Sequence, residues 1–379
     1  MKTAREKTKE GTLKDPRTPK IRAAALAEFD SQLWAAVHEG FHQTPFLSVI
    51  DWAAQNRFLT GAESGRYNPL RCPYQRPIQD AFNDLEVREI TWQSAERCGK
   101  STVGANILGY VIDREPTDVL WVMPSREAMA DFLKDELEPM IRANPSLEKK
   151  IGLGRQPRQL GRTNNTRRKS LAGGTATFVG GASAAPLAFR TVKVVILDEV
   201  DKLRALPGEG DADSLASNRV STYGTDFKIL RFSKPTVEGT SRINRHFLRG
   251  SRAFYHIACP SCSEFQELGW SLLRFDDLCL RCTSCNGFFD QDSWQGSVGE
   301  WRESAPNPHH KSFQSSALIS PLIRWETIVE EYRDAVHALE AGDPSLIQVW
   351  ENSRMGKTYS GRVEKIEPGE LFERRERFR

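Results

Sequence analysis

A lysine preceded by glycine and followed by two hydroxyl residues, at the end of an apolar run, is suited to holding phosphate. The chain carries this pattern as Ser94-Ala95-Glu96-Arg97-Cys98-Gly99-Lys100-Ser101-Thr102. Where a loop of this kind leads into a helix, backbone N–H groups and the helix N-terminus face an anion, and a triphosphate is the natural occupant. In that reading Gly99 lets the backbone approach the phosphates, Lys100 bridges the β- and γ-phosphate oxygens, and the Ser101 hydroxyl ligates Mg²⁺. The pattern GxxxxGK[ST] asks for glycine where Ser94 stands, so the loop is a degenerate one. Arg97 sits inside it, where a guanidinium reaches a γ-phosphate as a built-in arginine finger.

About a hundred residues on, VKVVILDEVD (192–201) is an apolar strand closing on two acids. A buried parallel strand delivers its C-terminal residues to the ligand edge of a sheet, so Asp198 is expected in the Mg²⁺ shell and Glu199 beside the attacking water. Loop and acids together point to hydrolysis of ATP or GTP. The run FKILRF (227–232) ends in Ser233-Lys234-Pro235-Thr236, whose hydroxyls are candidates for sensing the γ-phosphate.

Five of the seven cysteines crowd into residues 259–285. Cys259-Pro-Ser-Cys262 and Cys282-Thr-Ser-Cys285-Asn-Gly are CxxC knuckles at the spacing of a four-thiolate zinc site, which would be structural rather than catalytic. Cys279-Leu-Arg-Cys282 is a competing pair; the Asn-Gly after Cys285 favours Cys282 with Cys285.

The elements that must position these groups follow from periodicity. Apolar runs at 87–92, 119–123, 175–179, 192–197 and 227–232, alternating with helical stretches such as 125–143, indicate an α/β fold with a mostly parallel sheet covered on both faces. Helical spacing over 21–41 and 48–58 gives an N-terminal helical preface. The expected division is a basic flexible tail (1–20), a helical segment (21–70), a P-loop NTPase domain of RecA/ASCE-like type (71–250), a zinc-ribbon-like insertion (251–302), and a helical segment and linker (303–379).

With 379 residues, 39% hydrophobic and 27% charged, the chain can bury a large core. A net charge of +3 is the near-cancellation of 53 basic and 50 acidic residues and does not itself signal nucleic acid. No apolar window reaches the roughly 18 residues of a membrane span, and no signal-peptide pattern opens the chain. Cytosolic residence without a membrane partner is the expectation.

Several segments together resemble one family, the large subunit of tailed-phage terminases in its lambda-like branch: SVIDWAAQNRFL, CPYQRPIQDAF, QSAERCGKST, SKPT, FYHIACPSCSEF and SALISPLIRWETIVEEY, across about Leu47 to Phe378. The resemblance implies an ATP-driven motor that moves double-stranded DNA into a procapsid in the host cytoplasm. It also implies a homo-oligomeric ring and, as partners, a portal protein and a small terminase subunit. It accommodates the deviant loop with an arginine at Arg97, and it implies that Gln79, with Tyr74, contacts adenine and that Ser233 to Thr236 couples hydrolysis to movement. Members of the family continue into an RNase H-like nuclease; this chain is expected to stop about where that domain begins, so no nuclease activity is assigned to it. DNA contact is expected to be sequence-independent, with Arg162, Arg167, Arg168 and Lys169 as candidate donors and Arg219 as a candidate arginine for a neighbouring subunit. A helicase-like or remodelling ATPase and a non-catalytic DNA-binding module are the competing readings.

Overall fold

The structure, a computed structural model, describes residues 46–59, 63–153, 167–171, 173–180, 191–206, 208 and 210–361, and also residues 31 and 34. The chain divides into two compact units at Leu47 and Ser48. In the first, Ser31 and Trp34 are helical; the expected tail 1–20 and the rest of the helix 21–41 lie outside the described residues. No described helix is long and apolar enough to cross a membrane.

The second unit opens with α1 (Val49–Asn56), capped by Ser48, whose hydroxyl accepts from Asp51 N. The short helix α2 (Arg76–Asn83) precedes β1 (Glu89–Ser94), and the loop then enters α3 (Lys100–Asp113). Next come β2 (Val119–Met123) and α4 (Arg126–Asp131), which runs on through a π-helical turn at Phe132–Leu137. β3 (Arg168–Leu171), β4 (Gly174–Gly180), β5 (Val194–Asp198), α5 (Ala212–Ser217), β6 (Lys228–Ser233) and α6 (Arg242–Arg249) complete the part that carries the predicted strands. Then follow β7 (Ala253–Ala258), β8 (Phe265–Gln266), β9 (Leu273–Arg274), β10 (Cys279–Arg281), β11 (Phe288–Phe289), α7 (Gln291–Gln295), β12 (Gly299–Glu303) and β13 (His310–Ser315). Helices α8 (Trp325–Glu340) and α9 (Ser345–Trp350) lead into a π-helical turn at Glu351–Met355.

One ten-stranded sheet holds this unit together, in the order β8-β7-β13-β1-β6-β5-β2-β4-β3, with β12 on β7. The strands from β7 to β4 are parallel neighbours, and β3, β8 and β12 pair antiparallel at the margins. All five apolar runs become strands because each is buried on both faces. Val195, Leu197, Leu120, Val122 and Ile229 form one cluster with α5 and Ile243 of α6. On α3, Gly109 lies so close to α1 that a Cβ there would stand 2.2 Å from the Trp52 ring. The Trp52 indole donates to Asp113 Oδ2 at 2.9 Å.

Two features depart from expectation. Residues 253–258 and 310–315 were read as belonging to an insertion and to a helical segment, yet β7 and β13 extend the main sheet, and β13 lies directly beside β1. β13 reads His-Lys-Ser-Phe-Gln-Ser, too polar to signal a buried strand. It is buried because its polar groups are paired: His310 Nε2 with Thr91 Oγ1 at 2.9 Å, Ser312 Oγ to Phe247 O at 2.8 Å, and Ser315 Oγ to Ser94 Oγ at 3.0 Å. A second buried polar group crosses β6, where Arg231 meets Asp213 at 3.0 Å and Glu89 at 2.5 Å, while His246 bonds the other Asp213 oxygen at 2.6 Å.

Candidate nucleotide site and cysteine centre

The C-terminal ends of β1, β6 and β5 lie side by side, with Ser233 in register with Gln93 and Phe232 with Asp198. One strand therefore separates the lysine-bearing loop from the two acids. The loop leaves β1 at Ser94, which is fully buried, and its next residue, Ala95, donates its N–H to Ser315 O at 3.0 Å. Arg97 has φ 60° and Gly99 φ 83°, the left-handed region, and Gly99 caps α3. A side chain at Gly99 is opposed twice, by this φ and by Gln75 Nε2, 2.3 Å from where a Cβ would stand.

Glu96, Arg97, Gly99, Lys100, Ser101, Thr102 and Glu199 line one cleft of about 490 Å³, with Leu59, Glu63, Glu136 and Leu322 on its far walls. Lys100 Nζ donates to Ala95 O at 2.9 Å and stands 3.8 Å from Glu199 Oε1. Glu199 has φ 50°, a left-handed conformation that costs a non-glycine residue about 1–2 kcal/mol. Asp198 ends β5 just behind it. Removal from water first, and the adjacent Glu199 charge second, raise its pKa to about 6.

Other expected residues stand elsewhere. Ser233 is fully buried, and its hydroxyl donates to Lys234 O at 2.7 Å and accepts from Asp201 N at 3.3 Å. Thr236 Oγ1 donates to Asp201 Oδ2 at 2.7 Å. Ser233 and Thr236 are thus tied to the loop after the acids, while Lys234 between them reaches Glu96 of the cleft. Tyr74 and Gln79, expected at the base, are buried beneath the loop. Tyr74 OH donates to Cys98 O at 3.2 Å; Gln79 Nε2 donates to Tyr67 OH at 3.2 Å and its Oε1 accepts from Asn106 at 3.1 Å. With their polar ends committed in this way, neither lines the cleft. A neighbouring cavity of about 330 Å³ shares Leu59, Glu63, Thr102 and Leu322 with the cleft and adds Tyr67, Asn68, Arg71 and Gln75.

Sequence reasoning missed three supports. Gln75 Nε2 donates to Cys98 O at 2.9 Å, and Ser320 Oγ donates to Arg97 O at 2.5 Å. Lys234 Nζ binds Glu96 Oε1 at 2.7 Å and Ser353 Oγ at 2.9 Å. Burial alone would raise the Glu96 pKa, but Lys234, with the charges of Arg354 and Lys100, outweighs it and holds the carboxyl below its usual range. Gln75 stood inside the quoted CPYQRPIQ run; nothing local marks Ser320. Of the candidate DNA donors, Arg168 and Lys169 lie on the edge strand β3 just after Arg167, and Arg162 lies outside the described residues. Arg219 packs by its Nε to Leu215 O at 3.1 Å.

At the opposite margin of the sheet, Cys259, Cys262, Cys282 and Cys285 bring their sulfurs within 4.8 Å of one another. Two separations are 3.7 and 3.8 Å. Ligands at about 2.3 Å around a tetrahedral ion stand about 3.8 Å apart, so the cluster has the size of a tetrathiolate site. Each knuckle turns alike: Ser263 (φ 62°) and Asn286 (φ 59°) return to Cys259 O and Cys282 O, and Ser261 N and Ser284 N donate to the first sulfur of each pair at 3.4 Å. Cys279 is outside the cluster, its thiol on Asp277 O.

A mostly parallel sheet that offers a lysine-bearing loop at a helix start, one strand away from two acids, has the build of an α/β nucleoside triphosphatase. The chain belongs to the phage terminase large subunit gpA family, whose ATPase-domain model matches residues 61–301. The endonuclease-domain model of the same family matches residues 310–379. The expectation that the chain stops short of the nuclease portion is therefore corrected: the match begins on β13, in what had been read as helical segment and linker. Relatives include the terminase large subunits of Enterobacteria phage P21, 24% identical over 86% of this chain and 55% of that protein, and of Escherichia phage lambda, 25% identical over 87% and 56%. The chain thus spans about half the length of these relatives. Among solved structures, the large terminase ATPase domain of Thermus phage P74-26 aligns with a TM-score of 0.42 and 13% identity, over 75% of this chain and 92% of that one. The HK97 bacteriophage large terminase aligns at 0.38 and 17%, over 49% and 37%.

Proposed function

We propose that this chain is the ATP-hydrolysing motor portion of a DNA-packaging terminase, which drives double-stranded DNA into a procapsid. The observation that carries the reading is Lys100 facing Glu199 across a cleft floored by the Gly99 turn. In this reading backbone N–H groups of the 94–102 loop receive the phosphates, Lys100 leaves Ala95 O for the β- and γ-oxygens, and Arg97, exposed in the cleft, reaches the γ-phosphate. Glu199 orients the attacking water. Ser101 and Asp198 are the residues to hold Mg²⁺, which when bound neutralises phosphate charge. Adenine is assigned to the neighbouring cavity walled by Tyr67 and Arg71, with Gln79 acting through Tyr67.

The strand order, with one strand between loop and acids, supports a RecA/ASCE-like P-loop core near residues 71–250. Four thiolates at tetrahedral spacing favour structural Zn²⁺ on Cys259, Cys262, Cys282 and Cys285, in a zinc-ribbon-like module within 251–302. Ser233 and Thr236 couple hydrolysis to movement through Asp201, the residue both touch. Double-stranded DNA, a portal protein, a small terminase subunit and sister copies in a ring are the proposed partners, in the host cytoplasm. The test is Glu199→Gln: ATP binding should persist while DNA-stimulated hydrolysis falls by at least about a hundredfold. Hydrolysis near the wild-type rate would remove Glu199 from the mechanism.

A further inference from the structure

The left-handed turn of the phosphate loop is held from beneath by groups outside the loop. Its two central carbonyls point away from the cleft and are each captured. Arg97 O accepts from Ser320 Oγ at 2.5 Å, and Cys98 O accepts from Gln75 Nε2 at 2.9 Å and Tyr74 OH at 3.2 Å. In a trans peptide the N–H that follows each carbonyl points the opposite way, and Arg97 itself lines the cleft. Ser320 is fully buried and has a second hydrogen-bond neighbour in Tyr74 OH at 3.2 Å. Its own position is fixed by Gln295, whose Nε2 donates to Leu318 O at 2.9 Å and Ser320 O at 3.0 Å.

Gln295 ends α7, the helix that follows the second cysteine knuckle. Trp294 beside it donates its indole N–H to Leu280 O, two residues before Cys282, at 3.1 Å, and Gln291 Nε2 donates to Ile323 O at 2.8 Å. A short run of hydrogen bonds therefore joins the cysteine centre to the nucleotide loop: β10 to Trp294, Gln295 to Ser320, Ser320 to Arg97.

We propose that Ser320 is a positioning residue of the phosphate loop and that Gln295 acts through it, so that the cysteine-bearing module sets the loop conformation that receives nucleotide. The proposal rests on the nucleotide reading of the cleft. Removing the Ser320 hydroxyl takes from the Arg97 carbonyl its side-chain partner, in a turn that Arg97 adopts only under constraint, which weakens the receptive form by about tenfold.

The test uses the full chain, a fluorescent ATP analogue with Mg²⁺, and a thermal melt for each variant. Ser320→Ala should raise the dissociation constant about tenfold with the melt lowered by only about a few degrees, and Gln295→Ala about threefold. The double variant should bind no more weakly than Ser320→Ala alone, because the two act in series. Multiplied losses in the double variant, or wild-type affinity in Ser320→Ala, overturn the proposal. Should Ser320→Ala not fold, Gln295→Ala decides, and unchanged affinity there overturns it. A wild-type chain that does not bind the analogue would instead sink the nucleotide reading itself.

Discussion

Replacing Gly99 by alanine should cost about 2 kcal/mol of folding stability, and the structure says how that figure divides. At φ 83° an L side chain pays about 1–2 kcal/mol of backbone strain. The new Cβ would stand 2.3 Å from Gln75 Nε2, so that amide must swing away and give up its 2.9 Å bond to Cys98 O. Because Tyr74 OH still reaches that carbonyl, the loss is that of an ordinary hydrogen bond, about 1 kcal/mol. The stiffer unfolded chain returns about 0.4–1 kcal/mol. Gln75→Ala alone should cost about 1 kcal/mol, and once Gln75 is gone the alanine at 99 has nothing left to displace. The double variant should then be no less stable than Gly99→Ala, which amounts to a coupling of about 1 kcal/mol in a double-mutant cycle. Urea denaturation followed by tryptophan fluorescence measures all four chains. Strict additivity would refute the claim that Gln75 and Gly99 share one space, and a fully stable Gly99→Ala would refute the strained turn.

Two further outcomes follow from other parts of the molecule. Purified chain should carry about one Zn²⁺, and Cys282→Ser should lose it and lower the thermal midpoint; Cys279→Ser should keep it, since that thiol lies outside the cluster. Burial acts to raise the Asp213 pKa, but Arg231 and His246 outweigh it and hold the carboxyl well below the usual range. A depressed folded-state pKa gives stability that is present above about pH 4 and lost as pH falls toward the folded value. Asp213→Asn should therefore cost about 3 kcal/mol at pH 7 by leaving Arg231 with Glu89 as its one carboxylate, and its denaturation midpoint should fall less steeply than wild type below pH 4.

Much of this architecture was legible because the signals were local. Five apolar runs gave five strands; the Gly99-Lys100 pair at a helix start and Glu199 after 192–197 line one cleft; the CxxC spacing, with the Asn-Gly after Cys285, selected the four sulfurs that cluster. What was not legible depended on distant partners. β13 is polar in letters and buried through bonds to residues more than two hundred positions earlier, such as Thr91 and Ser94. Ser320 acquires its place only when the 316–324 segment folds beneath the loop. Tyr74 and Gln79 were expected at a base, and their burial, with polar ends bonded to Cys98 O, Tyr67 and Asn106, comes from packing that no local pattern announces. An endonuclease-family match running from residue 310 was likewise not foreseen, because its first stretch belongs to the same sheet as the nucleotide loop.

The place of β13 also bears on the order in which the chain comes together. β1 and β7 are not neighbours; β13 lies between them, pairing Ser315 with Ser94 on one side and Phe313 with Ala253 on the other. As the ribosome works, the nucleotide-bearing strands and the cysteine-bearing strands both emerge before the strand that joins them. Until residue 315 is out, each half presents an open, unpaired parallel edge, and closing the gap means a contact across more than two hundred residues, the kind that forms slowly. The interval before β13 inserts is when these two edges are most open to mispairing with other chains.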